Sequence, residues 1–577
     1  MYFLQEAEEN YATSVSSSRR RWNGKSADSK PARSLLTRTV LKTLPALLAL
    51  LVCAGLLPQK GNAIPAFARL YGTSCMTCHV DFPKLNDFGK AFKDAGFKFP
   101  KDDENYLKIA PVMLGAEEQK ETFPKSVWPG SIAGIPPVGL RFNSFFQATS
   151  ANRNKFDTLA PNGTVPPVIP GTDFASGFFS IFAAGNLGSN IAFWLDDDIS
   201  VSGDNGAGGL GDAYLKFVDL GRFLKLPRDS FSVRVGQFEL DLPFTQARSY
   251  NLSPYDIYQQ ANIGAMNSMV SLQQNVSNQF VFANAGRGIE LSGGHQNGGY
   301  HYSVAVVDQN TSGVSQGSNN SPYLPSAAGG SNGGVGFSSD SGFKNFYGRL
   351  SYRFNLERDP ESRHSTQAAG PSGPRDHTYL TFGSYYLYGD SLQQYAGSDG
   401  VLRVHEPYFR AGGDFNFNYR HFNMYGLYMH GRDENLLPLD NTGALIPLPL
   451  GTSSPLPVSF IKGVSARFDG GFVQADYMIA PWIMAIMRWD AVNSWADKIN
   501  GLALATGTPF FAPLHQTRNR FTPGVQFLIH PNIKFSFEYQ FRPEQYAVVQ
   551  ENSVTGQLTA VNPFRVNTAL FGLEFLY

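Results

Sequence analysis

Ile533-Lys534-Phe535-Ser536-Phe537-Glu538-Tyr539-Gln540-Phe541 is the stretch that decides the fold. Side chains of a strand alternate between two faces. Ile533, Phe535, Phe537, Tyr539 and Phe541 therefore share one face, and Lys534, Ser536, Glu538 and Gln540 share the other. A helix would scatter both sets around its axis. Phe346 to Phe354 repeats the pattern, with Arg349 and Arg353 on the polar side. The last residues do so too, with Phe571, Leu573, Phe575 and Tyr577 against Gly572 and Glu574. Alternation alone also fits a soluble sandwich, so the connections must separate the two.

Working outward from these segments, the chain from Pro136 onward reads as about sixteen antiparallel strands. They begin near Val138, Phe174, Asn190, Asp212, Phe231, Gly288, Tyr300, Lys344, His377, Tyr408, His421, Gly463, Trp482, Arg520, Ile533 and Phe564. Very short turns at Asn186–Gly188, Gln296–Gly298, Asn418–Arg420, Ala480-Pro481 and Pro531-Asn532 interleave with long connections. The long ones are Ser150–Thr172, Asp241–Ala285, Asn310–Phe343, Asp433–Lys462, Ser494–Thr517 and Gln545–Pro563. Short turns on one side and long loops on the other are the pattern of outer-membrane barrels. Asn355 to Asp376 is an exception, a long connection on the short side. An even strand number returns both barrel ends to the periplasmic side. Composition agrees: charged residues are only 16%, below the soluble average, while aromatics reach 14% and glycines number 58. Lys+Arg 47 balance Asp+Glu 47, so nothing global points to nucleic acid.

Upstream, residues 1–63 read as an N-terminal extension and a signal peptide. Arg38 and Lys42 precede an apolar stretch, Pro45 to Leu57, and Gly61-Asn62-Ala63 supplies the small residues of a cleavage site. The apolar stretch is too short to span a bilayer. Cleavage after Ala63 removes Cys53. The two remaining cysteines lie in Cys75-Met76-Thr77-Cys78-His79, the spacing that attaches a c-type haem. Two thiols add to the porphyrin vinyl groups, and the neighbouring histidine reaches the iron as proximal ligand. A zinc site would need a second ligand pair, and a thioredoxin-like dithiol would need a βαβ setting. After the motif, Asp81 is expected to cap a helix, with Pro83 in its first turn and Gly96 at its end. Leu85, Phe88, Phe92 and Ala95 then fall on one face. Residues 64–128 form the expected monohaem cytochrome domain. It is small enough that haem must supply much of its core. The Pro-rich stretch 129–137 is the joint to the barrel, 138–577.

Phe67-Ala68-Arg69-Leu70-Tyr71-Gly72, the CMTCH motif, Pro83, Leu85, Phe88-Gly89-Lys90 and Phe92-Lys93 resemble the fused outer-membrane cytochrome–porins, some of which are implicated in iron oxidation. The motif match spans about thirty residues, and the two-part organisation extends the resemblance over the rest of the mature chain. The family usually has Gln-Thr where this chain has Leu70-Tyr71, Thr at Asn86 and Arg at Lys90. The resemblance implies an outer-membrane electron-transfer protein. Its haem domain would enter from the periplasmic side, with extracellular Fe(II) as a donor and periplasmic carriers such as a soluble cytochrome c as partners. It also implies an iron:cytochrome c oxidoreductase activity rather than a conventional enzyme. A porin with a haem plug or redox sensor, and a haem peroxidase, are the rival classes.

Spacing does not fix the distal ligand. Met76 lies inside the attachment loop, which leaves Met113 as the candidate methionine, beside a barrel histidine or lysine. In the barrel, Asp196 and Asp198 are expected to face the lumen and to gather cations, or simply to line it. Glu239 and Asp241 sit at a similar height. Arg349 and Arg353 face the same lumen, where they can pair with haem propionates or meet solvent.

Overall fold

The computed structural model describes residues 66–73, 77–81, 84–98, 112–113, 131–132, 138–149, 172–186, 190–200, 209–227, 229–244, 251–253, 255–259, 282, 285–294, 298–308, 344–356, 378–434, 436–444, 446, 456–462, 465–494, 517–530, 532–541, 548–551, 558–561 and 567–576. The signal peptide, Cys53, Cys75 and most of the Pro-rich joint lie outside the described residues.

Sixteen antiparallel strands close on themselves. They are β1 (Val138–Thr149), β2 (Thr172–Asn186), β3 (Ile191–Ser200), β4 (Gly209–Phe217), β5 (Ser232–Phe238), β6 (Gly286–Gly294), β7 (Gly299–Asp308) and β8 (Lys344–Asn355). The second half comprises β9 (Tyr379–Gly397), β10 (Gly400–Tyr419), β11 (Phe422–Asp433), β12 (Ala466–Ala480), β13 (Ile483–Ser494), β14 (Thr517–His530), β15 (Ile533–Gln540) and β16 (Thr568–Leu576). Closure is made by β16 on β1, with Phe571 opposite Phe146 and Phe575 opposite Phe142. Closing the sheet leaves no edge of unpaired backbone groups, which lipid could not satisfy.

The faces are inverted relative to a soluble protein. In β15, Lys534, Ser536, Glu538 and Gln540 point inward and are buried, while Tyr539 on the same strand is exposed. In β8, Phe346, Leu350, Tyr352 and Phe354 lie outside while Tyr347 and Arg353 are buried. A sandwich would bury its aromatic face, whereas a membrane barrel presents it to lipid.

Short turns join β2–β3, β6–β7, β10–β11, β12–β13 and β14–β15, all at one end, here the turn end. β1 starts and β16 finishes at that same end. Most connections at the opposite, loop end are long. One differs from the sequence reading. β9 and β10 continue as a paired hairpin out to Gly397 opposite Gly400, where a loop up to Tyr408 is expected. Ser398-Asp399-Gly400 makes the tight turn, and Gly400 has φ +138°. Asp399 Oδ1 accepts a bond from Leu456 N at 2.9 Å, which ties the hairpin tip to a neighbouring loop.

The connection between β5 and β6 does not simply project outward. Its described residues fold into the lumen, where Leu240, Leu242, Tyr255, Ile257, Tyr258 and Phe282 are buried. They pack on inward-facing Tyr347, Tyr385, Leu387, Tyr425, Leu427 and Phe472. Tyr255 stacks on Phe472 with centroids 4.0 Å apart. The apolar core of this protein is therefore inside its barrel, between wall and loop. Polar anchors flank it. Glu538 accepts from Leu252 N and Ser253 Oγ at 2.7 Å each, and Arg520 pairs with Asp256 at 3.2 Å.

Candidate functional site

The haem-motif segment starts with helix α1 (Ala66–Tyr71). Thr77, Cys78 and His79 follow in a turn that enters a short strand, His79–Asp81, paired with Lys84–Leu85. Helix α2 (Asp87–Asp94) comes next. Its cap is Asn86, not Asp81, because Asp81 is drawn into the strand pairing. Asn86 does more than cap. Its Oδ1 accepts from Gly89 N at 2.8 Å, its Nδ2 donates to Thr77 O at 3.1 Å, and its own N–H donates to Cys78 O at 2.9 Å. One residue thus clamps the attachment turn to the helix. Gly89 makes the close contact possible, because a Cβ there would stand 2.1 Å from Cys78 O. Gly96 ends the helix segment as expected, at φ +76°.

Phe88 and Phe92 share a face as expected, while Leu85 lies in the paired strand. Phe67, Leu70, Tyr71, Phe92 and Phe97 form an apolar cluster that continues into the barrel wall at Ala184, Ala192, Val218 and Trp194. Phe97 stacks on Trp194 at 5.7 Å. The described residues of this segment sit in the turn-end mouth of the barrel. Polar contacts of Asp87, Lys84 and Asp94 with the barrel wall fix it there. Arg353 donates two bonds to Asp87, at 2.7 and 2.6 Å, and its guanidinium lies 3.5 Å from the Tyr379 ring centroid. Lys84 donates to Asn423, stands 3.7 Å from Asp476, and covers the Tyr425 ring. Lys90 pairs with Asp87 at 3.3 Å, and Lys216 stands 3.9 Å from Asp94. Burial alone would raise the Asp87 pKa, but Lys90 and the two Arg353 bonds outweigh it and hold the carboxyl below its ordinary value.

The residues present fit a covalent haem. Cys78 and His79 are half-buried, on a turn bonded to Asn86, and the same segment carries the half-buried apolar side chains Phe67, Leu70 and Phe88. Cys75 lies outside the described residues. The backbone of Val112-Met113 pairs with Ser131-Ile132, and the Met113 side chain lies outside the described ones.

The structure brings the other expected site residues into one lumen but gives them protein partners. Arg353 meets Asp87 as above. Arg349 bonds Asp414 at 2.9 and 3.0 Å and stands 3.8 Å from Asp241, which in turn meets His301 at 3.0 Å. Asp196 Oδ1 accepts from the Trp194 indole at 2.7 Å and from Asp212 N at 2.9 Å, at a register irregularity between β3 and β4. The Asp198 side chain lies outside the described residues. Among the described residues, no group of three or more His, Cys, Asp or Glu side chains is placed to hold a metal ion. Between the haem-motif helix and the inward loop lies a cavity of about 210 Å³, walled by Lys90, Lys93, Arg234, Asp241, Glu290 and His301 among others. Sequence reading misses Lys84 and Asp87 as docking residues and Tyr255 as a lumen residue. The only available signal is that Lys84 and Asp87 lie on short elements beside the haem motif.

No family model and no curated protein matches the chain. Several solved outer-membrane proteins are similar in structure. Pseudomonas putida OprB, in a high-pH structure, is 9% identical, with a TM-score of 0.41 over 80% of this chain and 96% of that one. The outer membrane channel DcaP of Acinetobacter baumannii is 11% identical, with a TM-score of 0.38 over 76% of this chain and 96% of that one. The trimer form of the outer membrane protein OmpT of Vibrio cholerae is 7% identical, with a TM-score of 0.38 over 76% and 98%. At these values the sixteen-strand assignment rests on the strand pairing of this chain itself.

Proposed function

We propose that the chain serves outer-membrane electron transfer through one covalent haem c. A donor on the loop side, with Fe(II) as the candidate class, and periplasmic carriers such as a soluble cytochrome c lie at its two ends. The observation that carries this reading is the docking of the haem-motif segment inside the barrel mouth, by Asp87 on Arg353 and Lys84 on Asn423. When bound, haem supplies one-electron chemistry at an iron whose potential its axial ligands set. Cys75 and Cys78 would hold it covalently, His79 would be the proximal ligand, and Met113 is the candidate distal ligand. Asn86 and Gly89 fix the attachment turn. Tyr255, Tyr258 and Phe282 keep bulk water from the lumen beyond it.

The docked position matters because the apolar band of such a barrel is about 25 Å tall. A domain hanging free below the membrane would be remote from any external donor. The second reading, a porin with a haem-bearing plug, is favoured by the barrel itself and by the cavity left between plug and loop. The test uses the full chain oriented in liposomes, with a membrane-impermeant reductant added on the loop side. Growth of the reduced-haem absorbance is expected. Reduction by permeant reductants only would overturn the electron-transfer reading and leave the plugged porin.

A further inference from the structure

On the outer face of the barrel, near its loop end, Arg432 of β11 is the direct cross-strand partner of Arg467 of β12. The face is fixed by the neighbours. Arg410 and Asp433 pair inside the lumen, so Gly431 faces in and Arg432 faces out. Arg432 is also opposite Phe409, whose ring stacks on outward-facing Tyr386. Two like charges directly opposed on a sheet repel each other, and natural sheets avoid the arrangement unless something neutralises it. The acids on this face are already engaged. Asp469 accepts from Tyr428 at 2.6 Å, meets His430 at 2.8 Å and also feels the charge of Arg467, so the countercharge still missing is that of Arg432. Glu434 pairs with Lys462 at 3.2 Å, and Asp390 with His405 at 2.9 Å. Among the described residues, neither arginine makes an ion pair. Arg432 Nε is buried with no hydrogen-bond partner.

The height of the pair says what covers it. At the turn end, Phe422 is opposite Tyr477, an exposed aromatic of the rim. From those residues the two strands climb to Arg432 and Arg467. At about 3.3 Å per residue and a strand tilt of about 40°, the ten-residue climb is about 25 Å, the height of the apolar band. Taking Tyr477 as the lower edge of that band puts the arginine pair at the level of the headgroups of the opposite leaflet. Below it Tyr428 and Tyr386 are exposed to the hydrocarbon.

We propose that Arg432 and Arg467 form a binding site for a phosphate-bearing lipid headgroup of the leaflet at the loop end. A phosphate accepts paired guanidinium donors and cancels the repulsion between them. His430 supplies a further polar neighbour, and Tyr428 and Phe409 flank the upper acyl chains. The proposal rests on the outer-membrane reading above and not on haem.

The test reconstitutes the full chain in phosphatidylcholine vesicles containing diphosphoryl lipid A, and measures lipid A retained after detergent extraction by native mass spectrometry. Wild type should retain about tenfold more than an R432Q/R467Q variant. Dephosphorylated lipid A with the same acyl chains should not be retained. Heat-modifiable gel migration reports barrel closure in each sample. If the double variant fails to close, Arg467→Gln alone serves, because that side chain is exposed. Its retention should fall about threefold. Equal retention by wild type and a closed variant, or equal retention of the dephosphorylated lipid, would overturn the site. Binding of inorganic phosphate that displaces lipid A completely would make it a free-anion site and overturn the lipid assignment. Lost lipid A specificity with loop-side haem reduction intact sinks this proposal alone, and the converse sinks only the electron-transfer reading.

Discussion

Asp87→Asn isolates the contact that holds the haem-motif helix in the barrel. The Arg353 side chain is 2% exposed and that of Asp87 17%. The substitution removes the negative charge but leaves the buried guanidinium. Breaking one partner of a buried ion pair costs about 3–5 kcal/mol, mostly because the remaining charge stays uncompensated. The adjacent Lys90–Asp87 contact is an i,i+3 pair and adds only tenths of a kcal/mol. Taking about 3 kcal/mol as the loss, the undocked population rises about a hundredfold. Trypsin cleavage at Lys84, Lys90 and Lys93 in the detergent-solubilised protein tracks that population when undocking is fast relative to cleavage. Cleavage should therefore accelerate about a hundredfold. An Asp87→Leu, Arg353→Met double variant should recover most of the protection, because an apolar pair of similar volume carries no desolvation cost. The same anchor has a pH signature. The carboxyl is held below its ordinary value, so its contribution is complete above 3.8 and is lost only as pH falls through the lowered value. An Asp87→Asn protein cleaved within twofold of wild type, or a release midpoint between pH 5 and 7, refutes the reasoning.

Two further outcomes follow from packing. Gly89→Ala forces a methyl into the space of the Cys78 carbonyl, an overpacking cost of about 1–3 kcal/mol; haem stain per barrel on denaturing gels should fall, and unchanged stain would mean the turn is free to move. Tyr255→Ala with Tyr258→Ala empties two rings that are 1% and 4% exposed. Single-channel conductance in planar bilayers should rise several-fold over wild type, and an unchanged value would place the constriction elsewhere.

The barrel was legible because a strand's period of two is local. Glu538 and Lys534 are buried on the lumen side that alternation assigns them, and every strand but β10 begins near its expected position. The β9–β10 hairpin is where that local reading stopped early. Ser391 to Pro407 has polar residues on both faces, so alternation fades, yet backbone pairing needs no apolar face and continues to the Gly400 turn. The haem-motif helix shows a different limit. Asp81 and Asn86 are both good caps by residue type. The bonds of Asn86 back to Thr77 and Cys78 choose between them, and those reach beyond the local cap. The inward course of the β5–β6 connection was equally hidden. Tyr255, Ile257 and Tyr258 read as a loop because their partners, Phe472 and Tyr425, lie far along the chain.

The filling of the lumen bears on which function a barrel of this kind can perform. A porin conducts solutes through water, so its lumen must stay open over its whole length. Here the turn end holds a helix tied to four strands, and the middle holds a loop whose rings stack on the wall. The cavity between them measures about 210 Å³. Departure of loop or helix would take Asp87 from Arg353, Ser253 from Arg488 and Asp256 from Arg520, while Asp490 on the wall stays paired with the last two. Electron transfer needs no such movement. It needs the redox group brought inside the thickness of the membrane and held at a fixed place. The Asp87, Lys84 and Asp94 contacts hold the segment bearing Cys78 and His79 at such a place.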